Sequence, residues 1–143
     1  MKTYLAKPVK EEDRKWHVID ASGLVLGRLS VQIVNLLRGR NRPTFTPIND
    51  TGDFVVVVNA DKVLLTGKKE EKKDYMFFSG WVGTEKHRSP KQMRARRPEF
   101  LIQHAVAGMM PASRQASKQL TRLKVYAGPN HPHEAQKPEP FKI

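Results

Sequence analysis

Apolar positions along this chain recur with two spacings, and the two spacings divide it into strands and helices. Trp16-His17-Val18-Ile19-Asp20-Ala21 reads as a first strand. Gly23 and Gly27 frame a turn into a helix over residues 28–38. There Leu29, Ile33, Leu36 and Leu37 repeat at three and four, opposite a polar stripe of Arg28, Gln32 and Asn35. Gly39 stands where a glycine ends a helix. Residues 54–58 are five consecutive apolar residues, four of them Val. A strand without alternation is buried on both faces, so this run predicts a central strand with helices on each side. Asn59 or Asp61 is placed to cap a short helix ending near Gly67, residues 68–73 read as a charged hairpin tip, and residues 75–78 as a strand.

The second half is more helical. Ser89-Pro90-Lys91-Gln92 is a capping-box pattern with proline at the first helical position. The helix it opens places Lys91, Arg94 and Arg97 on one side. Pro98 restarts a helix with a face of Leu101, Ala105 and Met109, flanked by Ile102 and Val106, and Met110-Pro111 ends it. Arg114, Lys118 and Arg122 are each four apart and predict one cationic stripe on a further helix. Residues 123–126 read as a last strand with Leu123 and Val125 inward and Lys124 outward. Four strands and four or five helices in this order suggest an α/β layered fold with a largely parallel sheet. The expected organisation is a single domain over residues 1–143. It has an irregular arm over about residues 1–15 and a proline-rich tail without core pattern over about residues 128–143.

Charge changes the picture from fold to function. The chain of 143 residues carries a formal net charge of +12. Residues 86–124 hold ten basic residues against one acid, Glu99, a net +9 of that total. Such one-sided charge repels itself without an anionic partner, and nucleic acid is the default candidate. The basic groups are spread over the loop at residues 38–42, the segment at 68–73 and two helices. That spread favours shaped, folded RNA over a single DNA groove, which concentrates contacts on one recognition element. Aromatic residues are 8% of the chain and no strand carries an exposed pair, which argues against a single-strand stacking platform.

Other chemistries find less support. Zero cysteines exclude disulfides and thiolate zinc sites. No apolar run approaches the roughly 18 residues of a membrane helix. The first fifteen residues show no signal core, and Glu11, Glu12 and Asp13 argue against a transit peptide. Residues 23–28, Gly-Leu-Val-Leu-Gly-Arg, match neither a phosphate loop nor a dinucleotide fingerprint. His131-Pro132-His133-Glu134 lacks further donors for a metal, and suits a segment laid against RNA instead. No nucleophile, base and orienting group assemble, so no enzyme and no cofactor are expected. Two rivals stay open: a nucleotide-dependent enzyme on the same layers, and a regulatory protein that binds messenger RNA.

Several strings then coincide with one family. They are the first strand at 16–21, Leu26-Gly27-Arg28-Leu29, Leu37-Arg38-Gly39-Arg40, Phe45-Thr46-Pro47, the run at 52–60, and Thr66-Gly67-Lys68-Lys69. Ala105-Val106-Ala107-Gly108-Met109-Met110-Pro111, Leu123-Lys124-Val125-Tyr126-Ala127-Gly128 and His131-Pro132-His133-Glu134-Ala135-Gln136-Lys137-Pro138 complete the set. Over nearly its whole length the chain resembles the thirteenth protein of the large ribosomal subunit, in its bacterial or organellar form. The resemblance implies a three-layer α/β/α fold and a structural, non-catalytic constituent of the large subunit. Such a protein binds large-subunit (23S-type) rRNA, supports early assembly, adjoins neighbouring ribosomal proteins and resides in the cytoplasm or an organellar ribosome. Matched positions make Arg28, Arg38, Arg40, Lys68, Lys69, Lys124, His131 and His133 expected RNA contacts. Charge geometry adds Arg42, Arg88, Lys91, Arg94, Arg97, Arg114, Lys118 and Arg122. The chain departs from the family pattern at Ala112, Ala116 and Ser117, which replace a lysine and a Gly-Arg pair. It also has Gly83-Thr84 where paired glycines are usual.

Overall fold

A computed structural model describes residues 7–143. Strand β1 (Trp16–Asp20) is followed by helix α1 (Leu26–Arg38) and strand β2 (Phe54–Val58). A 3-10 turn at Ala60–Lys62 and a four-residue helix α2 (Lys69–Lys72) come next. Strands β3 (Tyr75–Phe77) and β4 (Lys86–Arg88) form a hairpin, followed by helices α3 (Pro90–Arg96), α4 (Glu99–Met109) and α5 (Arg114–Leu120). Strand β5 (Leu123–Val125) and the two-residue strand β6 (Glu139–Pro140) close the order.

The main sheet has four parallel strands in the order β5-β2-β1-β6. β2 is central, and Val55, Val56 and Val57 are fully buried, as the unbroken apolar run demands. On one face, Ile19, Val55, Val57, Leu123 and Val125 pack in a single cluster with Leu29, Ile33 and Leu37 of α1 and Ile102 and Val106 of α4. On the other face, Trp16 stacks on Phe54 at 4.3 Å, and His133 of the C-terminal segment lies 5.2 Å from Trp16. The arrangement is the expected three-layer α/β/α class, with a thin second outer layer that includes a 3-10 turn at Glu134–Gln136.

Several sequence expectations are corrected, and the short helix expected to end near Gly67 is only the 3-10 turn at Ala60–Lys62. The segment at 75–78 is not in the main sheet. It pairs antiparallel with β4, and its Tyr75 joins Met93 and Leu101 in a separate small cluster. The hairpin tip is therefore the stretch between Phe77 and Lys86, while Lys69–Lys72 is helical. The fourth strand of the sheet comes instead from the tail, where no core pattern was visible. Phe141 donates its amide to the Val18 carbonyl at 2.9 Å and lays its ring 5.8 Å from His17. Two residues of pairing give no periodic signal, so only the neighbouring β1 edge defines this strand.

One contact fixes how α1 meets β2. Gly39 ends the helix at φ 73°, and a Cβ there would lie 2.5 Å from the Thr51 carbonyl oxygen. A Cβ on Gly52 would lie 1.7 Å from the Leu37 carbonyl oxygen. Only glycines let the last turn of α1 rest against the backbone that enters β2. The N-terminal arm follows the same loop: the Val9 amide donates to the Asp50 carbonyl at 3.3 Å.

Candidate nucleic-acid interface

The expected stripe of Arg114, Lys118 and Arg122 does not exist as such. α5 ends at Leu120, and Arg122 is 8% exposed. Its guanidinium bonds the Asp50 carboxylate and donates to the Gly52 carbonyl at 3.0 Å. Arg14 joins it, bonding Gly52 O at 2.5 Å and Asp50 at 3.3 Å. Gln119 donates to the same carboxylate at 3.1 Å. Burial pushes the Asp50 carboxyl up, but hydrogen bonds from Arg122 and Gln119 and the charges of Arg122 and Arg14 outweigh it and hold the group below its ordinary value. Arg122 is thus a structural cation that locks α5 and β5 onto the loop before β2. Arg14 was not foreseen, because a lone arginine in a polar arm carries no pattern.

Arg94 and Arg42 are engaged in the same way. Arg94 turns back from α3 to bond both Glu70 oxygens at 3.2 Å and the carbonyls of Asp61 and Val63 at 2.5 and 3.0 Å. Arg42 bonds Asp53 at 2.5 Å, and His17 lies 3.4 Å from the same carboxylate. Burial raises the Asp53 pKa, and bonds from His17, Arg42 and the Lys15 amide more than reverse that, so the carboxylate stays charged. These pairs engage four arginines, Arg14, Arg42, Arg94 and Arg122, with three acids, Asp50, Asp53 and Glu70, and take those arginines out of the set free to meet phosphate.

The cations that do face solvent sit on separate elements. Arg28 lies on the first turn of α1, and Lys91 and Arg97 on or just after α3. Arg114 and Lys118 share the exposed side of α5, opened by Ser113, whose hydroxyl accepts from the Ala116 amide at 3.2 Å. Arg38 and Arg40 flank the Phe45 ring at 5.8 and 6.0 Å, which holds the basic loop in shape. Lys68 and Lys69 line an open concavity with Thr66, Gly67, Lys72 and Lys73. Arg88 is half-buried over Phe77. The sequence reading omitted Lys72, Lys73 and Arg96, all exposed, although residues 68–73 as a block carried the signal.

Lys124 is half-buried on the edge strand β5, near the tail. His133 accepts or donates to Tyr126 Oη at 2.9 Å, and its amide donates to His131 Nδ1 at 3.2 Å. Burial lowers the His133 pKa, and the His131 and Lys124 charges lower it further, so the ring stays neutral near pH 7. His133 therefore offers a hydrogen bond rather than a cation, and its role beside Trp16 is partly structural. Among the described residues no group of three or more His, Asp or Glu is placed to hold a metal ion, and no helix is long and apolar enough to cross a membrane.

The ribosomal protein L13 family model matches residues 14–132. A protein of Akkermansia muciniphila named large ribosomal subunit protein uL13 is 57% identical over 138 residues, 96% of each chain. Proteins of the same name from Dictyoglomus thermophilum and Rubrobacter xylanophilus are 55% and 54% identical, with at least 99% of each chain covered.

Proposed function

The chain belongs to the ribosomal protein L13 family, and from that premise we propose that it is a structural constituent of the large ribosomal subunit that binds rRNA and acts early in assembly. Its role is not enzymatic, and its place is in the ribosome of the cytoplasm, beside other large-subunit proteins. The observation that carries the RNA-binding part is the set of cations exposed on α1, α2, α3 and α5 and on the loop after α1 that have no carboxylate partner among the described residues. Cations on separate rigid elements neutralise phosphates of several RNA segments at once, which lets those segments pack closely and fixes their relative orientation. Of the residues singled out from sequence, Arg28, Arg38, Arg40, Lys68, Lys69, Arg88, Lys91, Arg97, Arg114, Lys118 and Lys124 keep this role. His131 and His133 contribute through hydrogen bonds, whereas Arg42 and Arg94 are held by Asp53 and Glu70 and Arg122 is buried against Asp50. The test is a salt titration of binding to large-subunit rRNA against an unrelated folded RNA of equal length. Tighter binding to the rRNA that persists at physiological salt is expected. Replacing Arg114 and Lys118 with Gln lowers the salt slope by about two units. Equal affinity for both RNAs overturns the specific reading.

A further inference from the structure

Between the β3–β4 hairpin and helices α3 and α4 lies a cleft of about 420 Å³, lined by Phe77, Arg88, Met93, Arg96, Arg97 and Phe100. Its floor is apolar: Met93 is 3% exposed, and Phe77 and Phe100 lie 5.5 Å apart. Its rim is three arginines. Among the described residues none of the three has a carboxylate partner, in contrast to Arg14, Arg42, Arg94 and Arg122. Arg88 is held over the Phe77 ring at 5.4 Å. A guanidinium kept against an aromatic ring is pre-ordered and leaves its other side open.

An apolar floor with an unneutralised cationic rim selects a ligand that is flat and unsaturated at one end and anionic at the other. We propose that this cleft seats one unpaired nucleotide of single-stranded RNA, splayed out of its helix. Its base lies against Arg88 and the Phe77–Phe100 floor, and its phosphates lie between Arg96 and Arg97. Unstacked bases are held in this way on aromatic rings and guanidinium planes. The volume lies within the roughly 300–1,000 Å³ of small-ligand clefts, whereas the stacked base pairs of a duplex present no free base face. The source of the nucleotide as ribosomal RNA rests on the proposed function above. The site itself rests on the cleft. Among the described residues no strand carries an exposed aromatic pair. The stacking surface instead forms where a strand meets a helix, which strand periodicity does not reveal.

The test titrates the purified chain with a short single-stranded RNA, a duplex of equal phosphate content and a free nucleoside monophosphate. The readout is the guanidinium Nε–H signals of Arg88, Arg96 and Arg97 by NMR. The single strand is expected to shift these signals at concentrations where the duplex does not. Arg88→Lys keeps the charge but loses the planar group, and is expected to weaken single-strand binding about tenfold. The double variant Arg96→Gln, Arg97→Gln, at exposed positions that leave the fold alone, weakens it similarly and lowers the salt slope by about 1.4. Equal shifts with the duplex, or an unchanged affinity in Arg88→Lys, overturn the proposal. Binding of the free monophosphate as tight as that of the strand reassigns the cleft to a free nucleotide. Cleft binding of the short strand without preference for large-subunit rRNA defeats the ribosomal source alone.

Discussion

Asp50→Asn removes one negative charge while keeping the shape of the side chain, and it tests whether Arg122 belongs to the interior. Asp50 is the only carboxylate bonded to both Arg14 and Arg122 among the described residues, and the side chains of those arginines are 7% and 9% exposed. Removing the partner leaves two buried guanidiniums without a counter-charge. Breaking a buried pair costs about 3–5 kcal/mol, and the 22% exposure of the Asp50 side chain places this case at the lower end, about 3 kcal/mol. For a domain of this size each kcal/mol moves the melting temperature by about 2–4 °C, so a fall of about 6–12 °C is expected at neutral pH. Acid gives a second signature. The Asp50 pKa is depressed in the folded state below its ordinary value of 3.8. Its stabilisation is therefore fully present above that value and is lost as pH falls through the lower folded pKa. The gap between wild type and variant starts to narrow below about pH 3.8 and closes once pH is below the depressed folded value. Arg122→Ala leaves Asp50 its bond to Arg14, so it costs less, about 2 kcal/mol, and leaves the salt slope of RNA binding unchanged. Thermal unfolding by circular dichroism at several pH values reads all of this. A melting temperature of Asp50→Asn within about 2 °C of wild type, or a gap that acid leaves untouched, refutes the reasoning.

Gly52→Ala drives a methyl into the Leu37 carbonyl and is expected to cost at least about 3 kcal/mol. Gly128→Ala meets nothing within 4 Å and should stay within about 0.5 kcal/mol in the same urea titration. Phe141→Ala strips the half-buried ring that holds β6 to the sheet edge, a loss of about 1–2 kcal/mol. An unchanged urea midpoint would show that the tail does not dock. Arg94→Gln should lower stability by about 1–2 kcal/mol through its Glu70 and backbone bonds, with no change in the salt slope. A slope reduced by one with stability intact would return Arg94 to the RNA-facing set.

The residues by themselves determined the elements whose signal is local. The valine run fixes a central strand, because a stretch with no polar position has no face to give to water. The three-four spacing from Leu29 to Leu37 fixes α1, and Ser89 with Gln92 fixes the start of α3 through bonds within four residues. The net charge of +12 called for an anionic partner, since it sums over the chain whatever the fold. Tertiary structure decided the rest. It assigned β3 to a hairpin and gave the fourth place in the sheet to a two-residue strand from the tail, since pairing depends on which edge is free. It also sorted the arginines. Arg114 and Arg122 look alike in sequence, yet one faces solvent and the other meets Asp50 across 72 residues of chain. Whether a cation is a ligand for phosphate or a fastening inside the protein depends on the nearest carboxylate in space, and sequence spacing does not encode that distance.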